Sequence, residues 1–200
     1  MSSKRKTKIP NFLQSEAIEY QDPEEILRVL KDCPTVKDIP NPTINKPSTE
    51  YINAPVAFDI ETTSFYTPDG EKAACMYLWG FGVSGRVWYG RTWEEFEDLI
   101  GKIRVELGLG EKKKLFIYVH NLAFEFGFMQ FRFKWTKVFS LDTHKPLYAE
   151  CDGIVFRCSY LLTGYGLAGA AKNLLTRHKC EKLEGDLDYN LNRHSRTPIT

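Results

Sequence analysis

Two hundred residues, 42% of them hydrophobic and 26% charged, hold enough apolar material for a packed core and exclude a chain disordered throughout. The net charge of +1 covers an uneven distribution. Residues 51–100 carry three basic and eight acidic side chains, and residues 101–150 carry nine basic and five acidic. An acidic patch beside a basic surface suits a metal site next to a phosphate track, and scattered solvated charge gives the same counts.

In chain order, residues 1–22 read as a polar lead whose basic start, Lys4-Arg5-Lys6-Thr7-Lys8, reads as a frayed terminus before an address signal or a nucleic-acid arm. Asp22-Pro23-Glu24-Glu25 then opens a short helix, with a cap, a proline in the first turn and acids at the positive end of the helix dipole. Ile26, Leu27 and Leu30 give that helix an apolar face, and Pro34 stops it. Five prolines between residues 34 and 55 predict an extended linker rather than a packed element. The expected organisation is therefore an extension over residues 1–54 and a globular domain over residues 55–200.

Within that domain residues 56–62, 75–83 and 86–89 read as three strands, the last two joined by Ser84-Gly85. Residues 92–107 have helical spacing with Thr92 as cap and acids in the first turn. Residues 115–119 form a buried strand and 122–133 a helix. Residues 147–151 and 154–160 flank Asp152-Gly153, a strong hairpin signal. Residues 167–175 form a short Ala-rich helix, and the remainder is polar and turn-like. Three antiparallel strands followed by alternating helix and strand predict an α/β fold around a mixed central sheet with flanking helices.

The five cysteines, Cys33, Cys75, Cys151, Cys158 and Cys180, form no C-x-x-C pair and have no histidine at zinc-site spacing. An odd count points to a reducing compartment, so a cytoplasmic setting is expected. The basic start has no apolar run behind it and does not read as a signal peptide, and no stretch reaches the length of a membrane span.

The segment that speaks most directly of chemistry is Ala57-Phe58-Asp59-Ile60-Glu61-Thr62-Thr63. A strand repeats every two residues, so Asp59 and Glu61 share one face while Phe58 and Ile60 turn to the core. Two carboxylates on one face repel each other and lose hydration, costs that a divalent cation offsets. A second segment, Tyr118-Val119-His120-Asn121-Leu122-Ala123-Phe124-Glu125-Phe126, leaves a buried strand and enters a helix. Asn121 reads as the helix cap, and Glu125 lies near the positive end of the helix, where an acid is favoured. Taken with Asp59 and Glu61, Glu125 is also a third carboxylate at a strand end, where open α/β sheets place their sites.

Phe58-Asp59-Ile60-Glu61-Thr62-Thr63 resembles the first exonuclease motif, D-x-E, of family B DNA polymerases. His120-Asn121-Leu122-Ala123-Phe124-Glu125, about sixty residues later, resembles the second motif in the form seen in protein-primed polymerases of small phages and linear plasmids. Cys158-Ser159-Tyr160-Leu161 falls where that family has a single-strand-binding Ser/Thr-Leu element. Gly185-Asp186-Leu187-Asp188-Tyr189 resembles the segment just before its third motif.

The resemblance covers roughly residues 55–200. It implies a ribonuclease H-like 3′→5′ exonuclease domain belonging to a DNA-directed DNA polymerase that acts in protein-primed replication, with two Mg²⁺ or Mn²⁺ ions. Asp59, Glu61 and Glu125 would be the catalytic metal ligands, and Tyr189 would assist the site. Thr62, Asn121, Phe124 and Ser159 would hold the single-stranded 3′ end of DNA. His120 and Phe128 would lie near that strand and near a terminal priming protein.

The chain departs from the family at three places. Glu125 stands where an Asp is usual, Cys158 where an acid often precedes the Ser, and Glu184 where a Lys often precedes Gly-Asp-x-Asp-Tyr, with Lys182 two residues earlier. The third motif and the polymerase domain are expected beyond Thr200, so weak or no activity is expected of these residues alone. Tyr148 and Asp152 have the third motif's spacing, but Asp152 reads as a hairpin turn. Two other functions stay open: a non-catalytic module binding single-stranded DNA or a priming protein, and a small standalone exonuclease drawing its fourth acid from Asp186 or Asp188.

Overall fold

The computed structural model describes residues 16–40, 47–173 and 191–198. The strands are β1 (Glu16–Glu19), β2 (Thr35–Lys37), β3 (Glu50–Tyr66), β4 (Lys72–Val83), β5 (Arg86–Gly90), β6 (Lys113–Val119), β7 (Lys137–Ser140), β8 (Pro146–Cys151) and β9 (Ile154–Cys158). The helices are α1 (Glu24–Lys31), α2 (Trp93–Glu106), α3 (Leu122–Met129), α4 (Ser159–Thr163) and α5 (Leu167–Asn173).

All nine described strands join one sheet in the order β1-β5-β4-β3-β6-β9-β8-β7, with β2 paired to β3. Strands β3, β4 and β5 are mutually antiparallel. Strands β3, β6 and β9 run parallel, and β7, β8 and β9 form an antiparallel meander. The sheet is thus mixed and the fold is α/β, as the order of predicted elements implied.

Alternation decides which face is covered. Val56, Phe58 and Ile60 are buried and alternate with less buried neighbours on β3, and Leu115, Ile117 and Val119 do the same on β6. These side chains share one core with Ile26, Leu27 and Leu30 of α1, Phe96, Leu99 and Ile103 of α2, and Leu122 and Met129 of α3. Phe58 stacks on Phe96 at 4.3 Å between ring centroids, pinning α2 across the middle of the sheet. Helix α2 is set by a complete capping box: Thr92 accepts from the Glu95 N–H while the Glu95 carboxylate accepts from the Thr92 N–H. Gly90 lets the Trp79 indole lie against the β5 backbone, since a Cβ there would come within 2.3 Å of the ring.

Four expectations are corrected. The expected boundary after residue 54 falls inside β3, which begins at Glu50 because Ile52 and Ala54 continue its buried alternation. Pro55, lacking an N–H, lies in the stretch where the β3–β6 register shifts instead of ending the strand. Part of the expected linker is built into the sheet: Thr35–Lys37 pairs with β3, and Asp38 Oδ1 accepts from the Thr49 N–H at 2.5 Å. Helix α1 belongs to the same core, so residues 16–54 are no detached arm among the described residues.

The other two corrections concern ends. Helix α3 stops at Met129, and Phe133 turns back to meet Phe96 and Phe156. Strand β9 ends at Cys158, whose sulfur accepts from the Leu161 N–H and opens α4 two residues before the expected strand end.

Candidate functional site where the pairing of three parallel strands ends

Phe58, Val119 and Cys158 lie in one register row across β3, β6 and β9. The next residues along those strands are Asp59, His120 and Ser159, so three sequence-distant candidates emerge side by side. They do so where the parallel pairing ends, just past the carboxyl ends of β6 and β9 and midway along β3, and the carboxyl ends of strands are where open α/β sheets bind ligands. Asp59 and Glu61 alternate with buried Phe58 and Ile60, as a period of two requires. Just beyond, the β3–β4 register shifts: Glu61 faces Leu78 and Thr62 faces Met76, leaving Tyr77 as the extra residue of a bulge. Bulges lie next to sites, and here Thr62 is half-buried and Thr63 is buried.

Glu125 reaches the same place from the first turn of α3 and is 3% exposed. Its Oε2 atom is buried with no hydrogen-bond partner among the described residues. Burial pushes its carboxyl up to about 8; its own backbone N–H opposes the rise, and the charge and hydrogen bond of Asp59 add to it. Asp59 is raised too, again by burial first, with the Glu125 contact, the Ile60 N–H and the His120 charge pulling the other way. Glu61, half-buried, is raised by burial and by Asp59 and is lowered by Arg193. Asp59 is therefore the hub, touched electrostatically by Glu125 on one side and Glu61 on the other.

The donor set fits an oxygen-seeking divalent cation. A buried carboxylate oxygen without a partner and a neighbouring acid held high in pKa are what such an ion relieves. Asp59 and Glu125 would hold it, with Glu61 at the outer edge. Among the described residues no three His, Cys, Asp or Glu side chains form a ready-made ligand group.

The remaining candidates surround this hub. His120 Nδ1 lies 3.2 Å from Ser159 Oγ, which donates to the Val119 carbonyl at 3.4 Å, so the two side chains brace each other. Tyr160 meets the His120 ring edge-on at 5.8 Å. Asn121 is the cap residue expected, but without the side-chain bond of a cap. It occupies the N-cap position in the left-handed region (φ 70°, ψ 54°), and its side chain makes no cap bond. Its carbonyl instead accepts from the Phe124 N–H at 2.9 Å, and the residue is exposed. A non-glycine residue in this region is uncommon and costs energy, though Asn tolerates it best. Phe124, next to Glu125 in the chain, is 45% exposed and packs edge-on against Phe128 at 5.3 Å, itself partly buried against the core.

Asp152 lies in the β8–β9 turn with φ 45° and pairs with Arg104. Ile154 pairs with Leu115 near the start of β6, so Asp152 sits roughly 20 Å along the strands from Asp59. This bears out its reading as a turn. Tyr189, Lys182, Glu184, Asp186 and Asp188 lie outside the described residues.

Sequence reasoning missed Thr63, Tyr77, Arg91 and Arg193. The Arg193 N–H donates to Thr63 Oγ1 at 3.2 Å, and Arg91 binds the Tyr77 carbonyl at 2.7 Å. No local pattern signals contacts between residues so far apart in the chain.

Compared with known proteins, the chain matches no family model and no curated protein. No helix among the described residues is long and apolar enough to cross a membrane.

Proposed function

We propose that this chain is the 3′→5′ exonuclease domain of a protein-primed family B DNA polymerase, with a ribonuclease H-like fold. The observation that carries the reading is the convergence of Asp59, Glu125 and the His120–Ser159 pair where the parallel pairing of β3, β6 and β9 ends, with a buried Glu125 oxygen beside Asp59 that has no partner among the described residues. The three antiparallel strands followed by helix–strand alternation support the fold assignment.

Two Mg²⁺ or Mn²⁺ ions, when bound, would supply charge neutralisation and water activation for phosphodiester hydrolysis. The chain's own residues do the rest. Asp59, Glu61 and Glu125 provide oxygen ligands on one side of the sheet end. Phe124 and Phe128 offer a stacking surface for the terminal base of a single strand. Asn121 presents an amide to the same strand, and Ser159, steadied by His120, a hydroxyl. Thr62 lines the approach on β3.

A second reading is a binding module that grips single-stranded DNA or a priming protein without cleaving it. The raised carboxyl of Glu125 beside Asp59 favours it, because an acid that keeps its proton lets that pair persist without an ion. Digestion of a 3′-labelled single-stranded oligonucleotide separates the two, with Mg²⁺ or Mn²⁺, with EDTA, and with an Asp59→Ala/Glu61→Ala control. Metal-dependent loss of 3′ nucleotides that the control abolishes establishes the exonuclease. Binding without cleavage establishes the module, and neither activity overturns both.

A further inference from the structure

Strand parity places a further set of side chains on the sheet face that carries Asp59. Ala57, Tyr118, Arg157, Tyr148 and Phe139 are register partners in succession across β3, β6, β9, β8 and β7. Register partners share a face of the sheet. Asp59 stands two residues beyond Ala57 on β3, so this row lies one pleat, roughly 7 Å, behind the site. Helices α1, α2 and α3 bury their side chains on the opposite face, with Phe58 and Phe156.

The row is aromatic and basic. Phe139 is 48% exposed and stacks on Tyr148 at 5.7 Å between ring centroids. Phe116 lies on the same face of β6, one pleat further back. It stacks on Tyr51 of β3 at 5.0 Å and carries the Arg157 guanidinium of β9 at 4.7 Å from its ring centroid. That contact uses the flat face of the guanidinium. Its N–H groups lie in its plane, and none of them meets a carboxylate or another acceptor among the described residues.

The other cations of this face show the difference. Lys114 is taken up by both oxygens of Glu150. Lys137, exposed on β7 opposite Glu150, has no ion pair among the described residues. The strip from β9 to the β7 edge thus offers rings together with positive charge that the fold leaves unmatched. Single-stranded nucleic acid supplies what both lack: phosphates for the guanidinium and bases for the rings.

We propose that this strip, with Arg157 on its Phe116 floor and the Tyr148–Phe139 stack beyond it, is the track for the nucleotides behind the 3′ end. Arg157 takes a phosphate and Phe139 a base. The inference rests on reading the site as one for a single-stranded 3′ end, and adds the path by which the strand leaves that site toward the β7 edge.

The test uses the full 200-residue chain in Ca²⁺, an ion that takes oxygen ligands. It reads fluorescence anisotropy of a 5′-labelled trinucleotide, which fills the site alone, and of a dodecanucleotide, which reaches the track. The dodecanucleotide is expected to bind at least about tenfold more tightly. Arg157→Gln is expected to weaken the dodecanucleotide about tenfold and to flatten its logarithmic salt dependence by about 0.7, the share of one phosphate on a single strand. The trinucleotide should not notice the change, and Arg157→Lys should restore the salt slope. Phe139→Ala is expected to weaken the dodecanucleotide about tenfold but to leave an abasic strand of the same length unaffected. Thermal melts of each variant check that the fold persists. If the two lengths bind alike, or if Arg157→Gln keeps both affinity and salt slope, the inference fails while the site reading stands. If neither probe binds, the site reading fails and the inference with it, and the strip is left to a protein partner.

Discussion

Strand β6 has a buried glutamate near each end, and the two live differently. Near its start Lys114 Nζ donates to both carboxylate oxygens of Glu150, each at 2.7 Å, with side chains 13% and 9% exposed. Past its end Glu125 is buried against another acid, with one oxygen lacking any partner among the described residues. Burial is the same in kind and the compensation is opposite. The first carboxylate is neutralised by a lysine inside the fold. The second has no cation beside it among the described residues, and burial raises its carboxyl so that a proton takes the place a lysine fills at the other end. A buried acid marks a site when the fold declines to pair it, and is part of the scaffold when the fold does.

The largest effect expected from this contrast is on stability at the scaffold end. Lys114→Ala leaves Glu150 buried and unpaired and is expected to cost about 3 kcal/mol, measured by urea denaturation. Glu125→Gln keeps the shape, removes the need for a proton, and is expected to leave stability at pH 8 unchanged or higher. In the metal-dependent digestion assay the order reverses: Glu125→Gln is expected to lower the rate at least about a hundredfold, and Lys114→Ala, where it folds, far less. Equal stability losses for the two variants would erase the contrast.

The next effect is on pH dependence. Glu125 is raised from an ordinary 4.5 to about 8, so between those values the native state holds a proton that the unfolded chain has released. Its contribution is therefore fully present below about 4.5 and is lost as pH rises through about 8. Asp59, also raised, acts in the same sense. In EDTA, stability is expected to fall with pH across this window by at most about 1.4 kcal/mol per unit for one proton. Glu125→Gln should flatten the slope. Mg²⁺ should raise the melting temperature more at pH 8 than at pH 5, because the ligands must be deprotonated. A slope that survives Glu125→Gln would assign the titration elsewhere.

The same contrast shows what local sequence patterns reveal. The same-face placement of Asp59 and Glu61 was legible because period two is a property of the strand itself. So were the Thr92/Glu95 capping box and the Asp152-Gly153 hairpin, which are local in sequence. Strands β2 and β7 were not, since every one of their residues is exposed and no alternation marks them. Nor was the fate of Glu125, because a glutamate in a first helical turn reads alike whether solvent or Asp59 faces it. The fastening of Arg193 joins residues 130 positions apart. Packing decides such contacts, and packing has no local signature.

A smaller effect is expected at the aromatic pair. Phe124→Ala removes an exposed ring, so stability should change by less than about 1 kcal/mol. Stacking on a base contributes about 1–3 kcal/mol, so binding of a single-stranded oligonucleotide should weaken roughly tenfold. Equal binding by wild type and variant in anisotropy would remove Phe124 from the site.

The smallest expected effect is at Asn121, where structure and function pull apart. As an N-cap its side chain should bond the helix, and replacing it should cost about 1 kcal/mol. It makes no such bond and sits at φ 70°, a conformation glycine adopts without cost. Asn121→Gly is therefore expected to leave stability unchanged or raise it by a few tenths of a kcal/mol, read from urea midpoints at constant m. If the amide contacts a single strand, the same variant should weaken oligonucleotide binding severalfold. Loss of stability without loss of binding would return Asn121 to the scaffold. Loss of binding alone would mean that a strained backbone is kept at the strand end for the sake of the ligand.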